Sequence, residues 1–302
     1  VGWSEFMGNF GSEGLGNVIS RLGERLVGQD PRPVEKIVAF LHGVTRQAPG
    51  GINQQAIAAI ENALVDIKAK ALGIPVYELL GGPVRERLRL YWSHCGTWRV
   101  SFADRIKAWT GFDPIRSLAD VEQAGAEVAR RGFKGLKTNI MRFDADPPYI
   151  HMPGFNGPGA PELNYDRAVE QALVAEMAAF RRGAGPNVGL HVDLNFNFKT
   201  EGYIRMAQAL EPFDLVWVEI DSYDPAALAT IRRSTRTRVA SRPASHCMDG
   251  ASSSPISSSN RSMSPSSTWP GTASSNPSRS PPWRTPMRST WHRIISTAIS
   301  DR

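Results

Sequence analysis

The stretch VGLHVDLNFNFKTEGYIRMAQALEPFDLVWVE, residues 188–219, decides the fold. It opens on an apolar, β-branched run at 188–193, turns to helical spacing over 202–211, and closes on a second apolar run at 214–219. Strands that are apolar at nearly every position, rather than at alternate ones, belong to a parallel sheet covered on both faces. The same alternation continues outward. Toward the N-terminus the pattern predicts a helix over 166–182, a strand over 134–138, a helix over 117–132 and a strand over 88–93 (LRLYWS). Toward the C-terminus it predicts a helix over 224–234 and a strand beginning near 237. Such strand–helix repetition predicts an α/β fold, and at 302 residues a closed TIM-like barrel is its commonest form. Residues 139–165 make a long Pro/Gly-rich loop within the series, and loops of that length in compact domains are usually functional.

Residues 1–85 read as a short strand followed by helices, an α+β unit distinct from the βα repeats of 86–241. Its clearest element is Gln54 to Leu72, where Ile57, Ile60, Leu64, Ile67 and Leu72 recur at helical spacing. Gly73 supplies the stop and Pro75 follows it. The chain starts at Val1 and runs directly into this unit, which predicts a missing start.

Charge is not spread evenly. Residues 241–302 hold seven Arg against Asp249 and Asp301, whereas residues 1–240 carry 28 basic and 27 acidic side chains. The net charge of +6 is therefore a property of the tail, and the folded part gives no footprint for nucleic acid. The tail holds 19 Ser and eight Pro and no Leu, Val, Phe, Tyr, Lys or Glu, a composition unable to offset its ordering entropy. Residues 242–302 are accordingly predicted to be disordered as written. No run of 18 apolar residues is present to span a membrane, and Cys95 and Cys247 match no metal or redox spacing, so a cytoplasmic protein is the plain reading.

The ends of the predicted strands carry Lys137, Asp193 and Glu219, one on each of three successive strands. In a βα barrel those ends open on the active-site face. Two carboxylates on neighbouring strands suit a hard cation such as Mg²⁺, which takes oxygen ligands and leaves positions for substrate oxygens. A desolvated lysine beside that cation, with its pKa lowered, can act as a general base toward a carbon next to a carboxylate. Each residue also has a plainer reading: Lys137 as a solvated loop lysine, Asp193 and Glu219 as helix caps. His191 reads as a satisfied core histidine. The shared register of the three charged residues is what raises them above these alternatives.

The chain resembles the mandelate racemase/muconate lactonizing branch of the enolase superfamily. The matching pieces are Gly2-Trp3-Ser4-Glu5, AIENALVDIKAKALGIPVYELLGG at 59–82, GLKTN at 135–139, VDLN at 192–195 and WVEID at 217–221, within residues 1–241. The resemblance implies a capping domain over a (β/α)7β barrel. It also implies Mg²⁺ as cofactor, Lys137 as base, Asp193 and Glu219 as the first two metal ligands, and Asn195 as a supporting group. His94, Trp98, Arg99, Arg142 and His151 lie near strand-end loops where a polar substrate would be met. Phe6–Gly14, with Gly8, Gly11 and Gly14, sits where the family carries a mobile specificity loop.

The sequence also departs from the family. Asn139 stands where many members have a second lysine, which argues against two-sided proton transfer through this pair. A third acidic ligand is due near the fifth strand, where the chain has Ala240-Ser241-Arg242-Pro243, and the seventh-strand histidine has no counterpart. A shifted reading frame after about residue 241 accounts for both departures. Serine codons of the form TCx, read one base later, become xTC and encode Phe, Leu, Ile or Val. Resequencing the DNA across codons 238–250 decides between a shifted frame and a genuine tail.

The resemblance points to a sugar-acid dehydratase acting on a small hydroxy-carboxylate, with a racemase or cycloisomerase as the enzymatic alternative. A non-enzymatic protein with a nucleic-acid-binding tail is the alternative of another class. Homo-oligomers are usual in the family. As written, the chain is expected to hold Mg²⁺ weakly, to leave its barrel open with aggregation-prone edges, and to lack turnover.

Overall fold

The computed structural model describes residues 1–8, 12–156 and 163–241. Two compact units divide these residues after Glu86.

The first unit is helical. Helices α1 (Leu15–Glu24), α2 (Val34–Val44) and α3 (Gly51–Leu72) bury one core of Leu15, Ile19, Leu22, Leu41, Ile57, Ile60 and Leu64, and the short α4 (Val76–Leu79) follows them. The 3.6-residue pattern read from 54–72 is therefore the buried stripe of α3 as far as Leu64; Ile67 packs at its margin, and Leu72 is 58% exposed. Gly73 ends the helix in the left-handed region, φ +68°, where its N–H and that of Ile74 close the free carbonyls of Lys70 and Ala69. The expected short strand has no counterpart among the described residues. A strand needs a neighbouring edge, and here the Trp3 N–H instead bonds Asp66 Oδ2 on α3 at 2.8 Å.

The second unit has the parallel α/β architecture. Strands β1 (Gly135–Thr138), β4 (Gly189–Asp193), β5 (Trp217–Ile220) and β6 (Val239–Ser241) lie side by side in that order, all parallel. Helix α7 (Leu118–Arg130) leads into β1, and α9 (Arg167–Ala184), α10 (Thr200–Ala209) and α11 (Pro225–Arg233) lie between the successive strands. Ser117, Asp166 and Asp224 cap α7, α9 and α11 through backbone N–H groups of the first turn. Leu136, Leu190, Val192, Val218 and Ile220 meet the helices in one core. Helices α7 and α9 approach closely because Gly125 and Gly183 face each other's backbone: a Cβ on Gly183 would stand 1.8 Å from the Glu122 carbonyl oxygen. This is a partial TIM barrel, as the periodicity predicts.

Two stretches differ from expectation. The strand expected at 88–93 is reduced to one parallel bridge, Trp92 to Leu136, held by Trp92 N–H to Gly135 O and Lys137 N–H to Trp92 O. Leu88 and Leu90 are 61% and 66% exposed, so only the end of that run has packing to hold it extended. Helices α5 (Thr97–Ser101) and α6 (Ala103–Thr110) follow it. The expected loop 139–165 contains an antiparallel pair, β2 (Met141–Arg142) with β3 (Tyr149–Ile150), and a turn of helix, α8 (Pro153–Asn156). The frame-shift reading, the disordered tail, Arg242-Pro243 and Gly11 of the proposed mobile loop all lie outside the described residues.

Candidate active site

Parallel pairing fixes the site. Asp193 and Glu219 are direct register partners on β4 and β5, and Lys137 on β1 is the partner of His191, two residues before Asp193. Alternation along each strand puts Lys137, His191 with Asp193, and Trp217 with Glu219 on one face. The Lys137 Nζ donates to Asp193 Oδ2 at 3.0 Å and to Glu219 Oε2 at 2.6 Å. The three are 5%, 1% and 4% exposed, so this is a buried ionic cluster rather than a solvated surface bridge. Burial alone disfavours the ammonium, but the two carboxylates outweigh it and hold Lys137 above the ordinary lysine range. Between the two carboxylates, and with no cation beside them, Lys137 is charged; the lowered pKa expected of it concerns the cation-bound site.

Around this trio the asparagines are structural clamps. Asp193 Oδ1 accepts the Asn195 N–H at 3.0 Å, and Asn195 takes φ +51°, a turn that its short amide tolerates. Asn195 is held in turn by Tyr203, whose hydroxyl donates to its carbonyl at 2.6 Å. Asn139 donates from Nδ2 to the Asp193 carbonyl at 3.2 Å, while its Oδ1 accepts from Thr97 Oγ1 at 2.9 Å. The Nδ1 of His94 lies 3.1 Å from that same oxygen, so this nitrogen carries the proton. Asn139 is thus engaged at both ends of its amide, in the place where a second lysine would be a base. One step down the same face, His191 packs 3.8 Å from the Trp217 ring and against Tyr91. Its Nδ1 is 2.7 Å from the Leu136 carbonyl oxygen. Burial pushes it down to about 4, so it is a neutral core histidine.

The structure brings six of the sequence-derived residues together: Lys137, Asp193, Glu219, Asn195, Asn139 and His94. Arg142 and His151 instead share the β2–β3 hairpin. Arg142 forks onto Asp144 and lies over the Tyr149 ring, and the His151 backbone bonds Ile140 O and Asn197 Nδ2. Burial and the nearby Arg142 both push the His151 imidazole down. Thr97, Tyr203 and Glu176 escape the sequence reading. Glu176 leaves one signal there, as a lone acid within the apolar stripe Val169, Leu173, Met177, Phe180.

Asp193 and Glu219 suit a hard divalent cation in kind, offering adjacent carboxylate oxygens on neighbouring strands. They fall short in number: among the described residues no group of three His, Cys, Asp or Glu converges, and the register partner of Glu219 on β6 is Ala240.

Consecutive parallel βα units with a lysine and two carboxylates at neighbouring strand ends define a partial TIM barrel whose candidate site lies where such barrels carry theirs. Comparison with known proteins gives the family. Residues 1–81 match the N-terminal domain of mandelate racemase/muconate lactonizing enzymes, and residues 119–248 match the enolase C-terminal domain-like family. The chain belongs to the mandelate racemase/muconate lactonizing type of the enolase superfamily. A D-galactonate dehydratase family member of Pseudarthrobacter chlorophenolicus is 31% identical over 221 residues, 71% of this chain and 52% of its own length. A D-galactonate dehydratase of Ralstonia nicotianae is 31% identical over 219 residues, 72% of this chain and 48% of its own. The chain thus spans about half the length of these relatives. Among solved structures, a Burkholderia xenovorans protein provisionally named an L-alanine-DL-glutamate epimerase, bound to magnesium and fumarate, is 43% identical with a TM-score of 0.80. That match covers 86% of this chain and 63% of the other. A mandelate racemase/muconate lactonizing enzyme-like protein of Rubrobacter xylanophilus is 29% identical with a TM-score of 0.66, covering 85% and 61%.

Proposed function

We propose that this site is that of a sugar-acid dehydratase, which takes a proton from the carbon beside a carboxylate of a small hydroxy acid and releases water. The observation that carries the reading is the buried Lys137 held between Asp193 and Glu219. Its support is the resemblance to relatives named D-galactonate dehydratase. When bound, Mg²⁺ on Asp193 and Glu219 would supply positive charge to the substrate carboxylate. Lys137 is the proton-handling group, and it serves as a base once its ammonium has released a proton to solvent and become the neutral amine. Asn195 holds Asp193 from its own strand end, and Asn139 ties the Asp193 carbonyl to Thr97 and His94. Arg142 and His151, on the hairpin, read the substrate hydroxyls. The parent enzyme is a cytoplasmic homo-oligomer with its capping domain in residues 1–85. No helix among the described residues is long and apolar enough to cross a membrane.

Epimerisation is the second reading, favoured by the name of the Burkholderia relative. The engaged Asn139 amide weighs against it, because two-sided proton transfer needs a second base. The chain as written is expected to hold the cation weakly and to lack turnover, so the test uses it beside a version with the tail in the alternative frame. Both are incubated with Mg²⁺ and a panel of sugar acids, and product and solvent deuterium are followed by NMR. Water loss by the frame-restored protein, abolished by Lys137→Met, is the expected result. Deuterium incorporation with conversion to the diastereomeric acid and no loss of water would select epimerisation, and no exchange at all would sink both readings.

A further inference from the structure

On the helix side of β1, opposite the ionic cluster, Glu176 is a carboxyl group with no cationic side chain beside it among the described residues. It is fully buried in the α9 stripe between Leu173 and Phe180. Its Oε2 accepts the Met141 N–H at 2.8 Å, and its Oε1 lies 3.0 Å from Thr138 Oγ1. That hydroxyl is also 3.2 Å from the Asn139 carbonyl oxygen, and it has one proton to give. If Glu176 were ionised, the threonine proton would be drawn to it, the Asn139 carbonyl would lose a donor, and a charge with two hydrogen bonds but no counter-ion would stay buried. If Glu176 carries a proton on Oε1, it donates to Thr138 Oγ1, the threonine donates to Asn139 O, and every atom of the chain is satisfied.

We propose that Glu176 is an uncharged, proton-bearing positioning residue that clamps residues 138–141 from the helix side and so sets where Lys137 and Arg142 stand. The clamp spans the whole join between the lysine strand and the arginine hairpin: Thr138 follows Lys137, and Met141 precedes Arg142. Burial pushes the Glu176 carboxyl up to about 8, in the direction this assignment requires. The charged groups on the elements around it are already engaged. On α7, Glu127 pairs with Arg99 and Arg131, and Glu122 pairs with Arg182 of α9. Lys137 and Arg142 face their own carboxylates. Cys95 is a buried thiol that burial pushes up to about 12, with Arg99, Glu127 and Glu176 as lesser influences.

The unfolded carboxyl titrates near 4.5 and the folded one near 8. The folded state therefore binds the extra proton, and this stabilisation is full below about pH 4.5, declines as pH rises, and is gone above about 8. The test is urea unfolding of the 302-residue chain and its Glu176→Gln variant across that interval, since glutamine mimics the protonated acid and does not titrate. The ratio of wild-type to variant folding constants is expected to fall by up to about tenfold per pH unit. Amide exchange at Met141, corrected for its intrinsic pH dependence, is expected to accelerate above pH 8 in the wild type and not in the variant. A flat or rising ratio would overturn the proposal, as would a Glu176→Gln chain that fails to fold under conditions where the wild type folds. Equal Met141 protection in both proteins would overturn the clamp.

Discussion

The two faces of β1 bury carboxyl groups to the same degree and treat them in opposite ways. On the inner face, Asp193 and Glu219 meet the Lys137 ammonium, and all three are held as ions. On the outer face, Glu176 meets an amide and a hydroxyl, and burial pushes it toward the neutral acid. His191 repeats the outer outcome within the inner face: with the Leu136 carbonyl as its hydrogen-bond partner and no counter-charge beside it among the described residues, burial drives it neutral. Burial by itself discharges a group. A buried ion in this fold marks a place where a counter-charge was built in, and that place is the site proposed above for the family's chemistry.

Removing the counter-charge should break the contrast most severely. Lys137→Met leaves two carboxylates facing each other in the interior, and a loss of about 3–5 kcal/mol in chemical unfolding is expected. Added Mn²⁺ should restore part of that loss in the variant, because the cation then takes the place of the ammonium. Replacing Glu176 by Leu strands the Met141 N–H without an acceptor, at about 1–3 kcal/mol in the same measurement. Thr97→Val removes one of the donors to Asn139 Oδ1 and leaves His94 as the other; a cost of about 1 kcal/mol is expected, with the Lys137 cluster unchanged by NMR.

Much of this contrast was legible in the sequence. The apolar runs at 188–193 and 214–219 set parallel strands, and a parallel register then carries Asp193 and Glu219 to the same level with no further information. Side-chain period fixed which face Lys137 would take. The charge state of Lys137 was not legible, since it depends on Nζ distances of 3.0 and 2.6 Å that no spacing rule supplies. Neither was the clamp at Glu176, because a single acid in a helical stripe looks the same whether it tilts to solvent or is sealed beneath a neighbouring strand. The β2–β3 hairpin was missed because strands of two residues leave no periodicity. The N-terminal strand failed for the opposite reason: an extended sequence can be written without any partner edge to pair with it.

The central claim is that Lys137, Asp193 and Glu219 share one charge site, inherited from a metal-dependent enzyme. Calorimetric titration of Mn²⁺ into the wild-type chain, Lys137→Met and Asp193→Asn tests it most directly. Weak binding by the wild type, at least about tenfold tighter binding by Lys137→Met, and loss of binding in Asp193→Asn are predicted, tenfold corresponding to about 1.4 kcal/mol. Equal affinity in all three proteins would contradict the account.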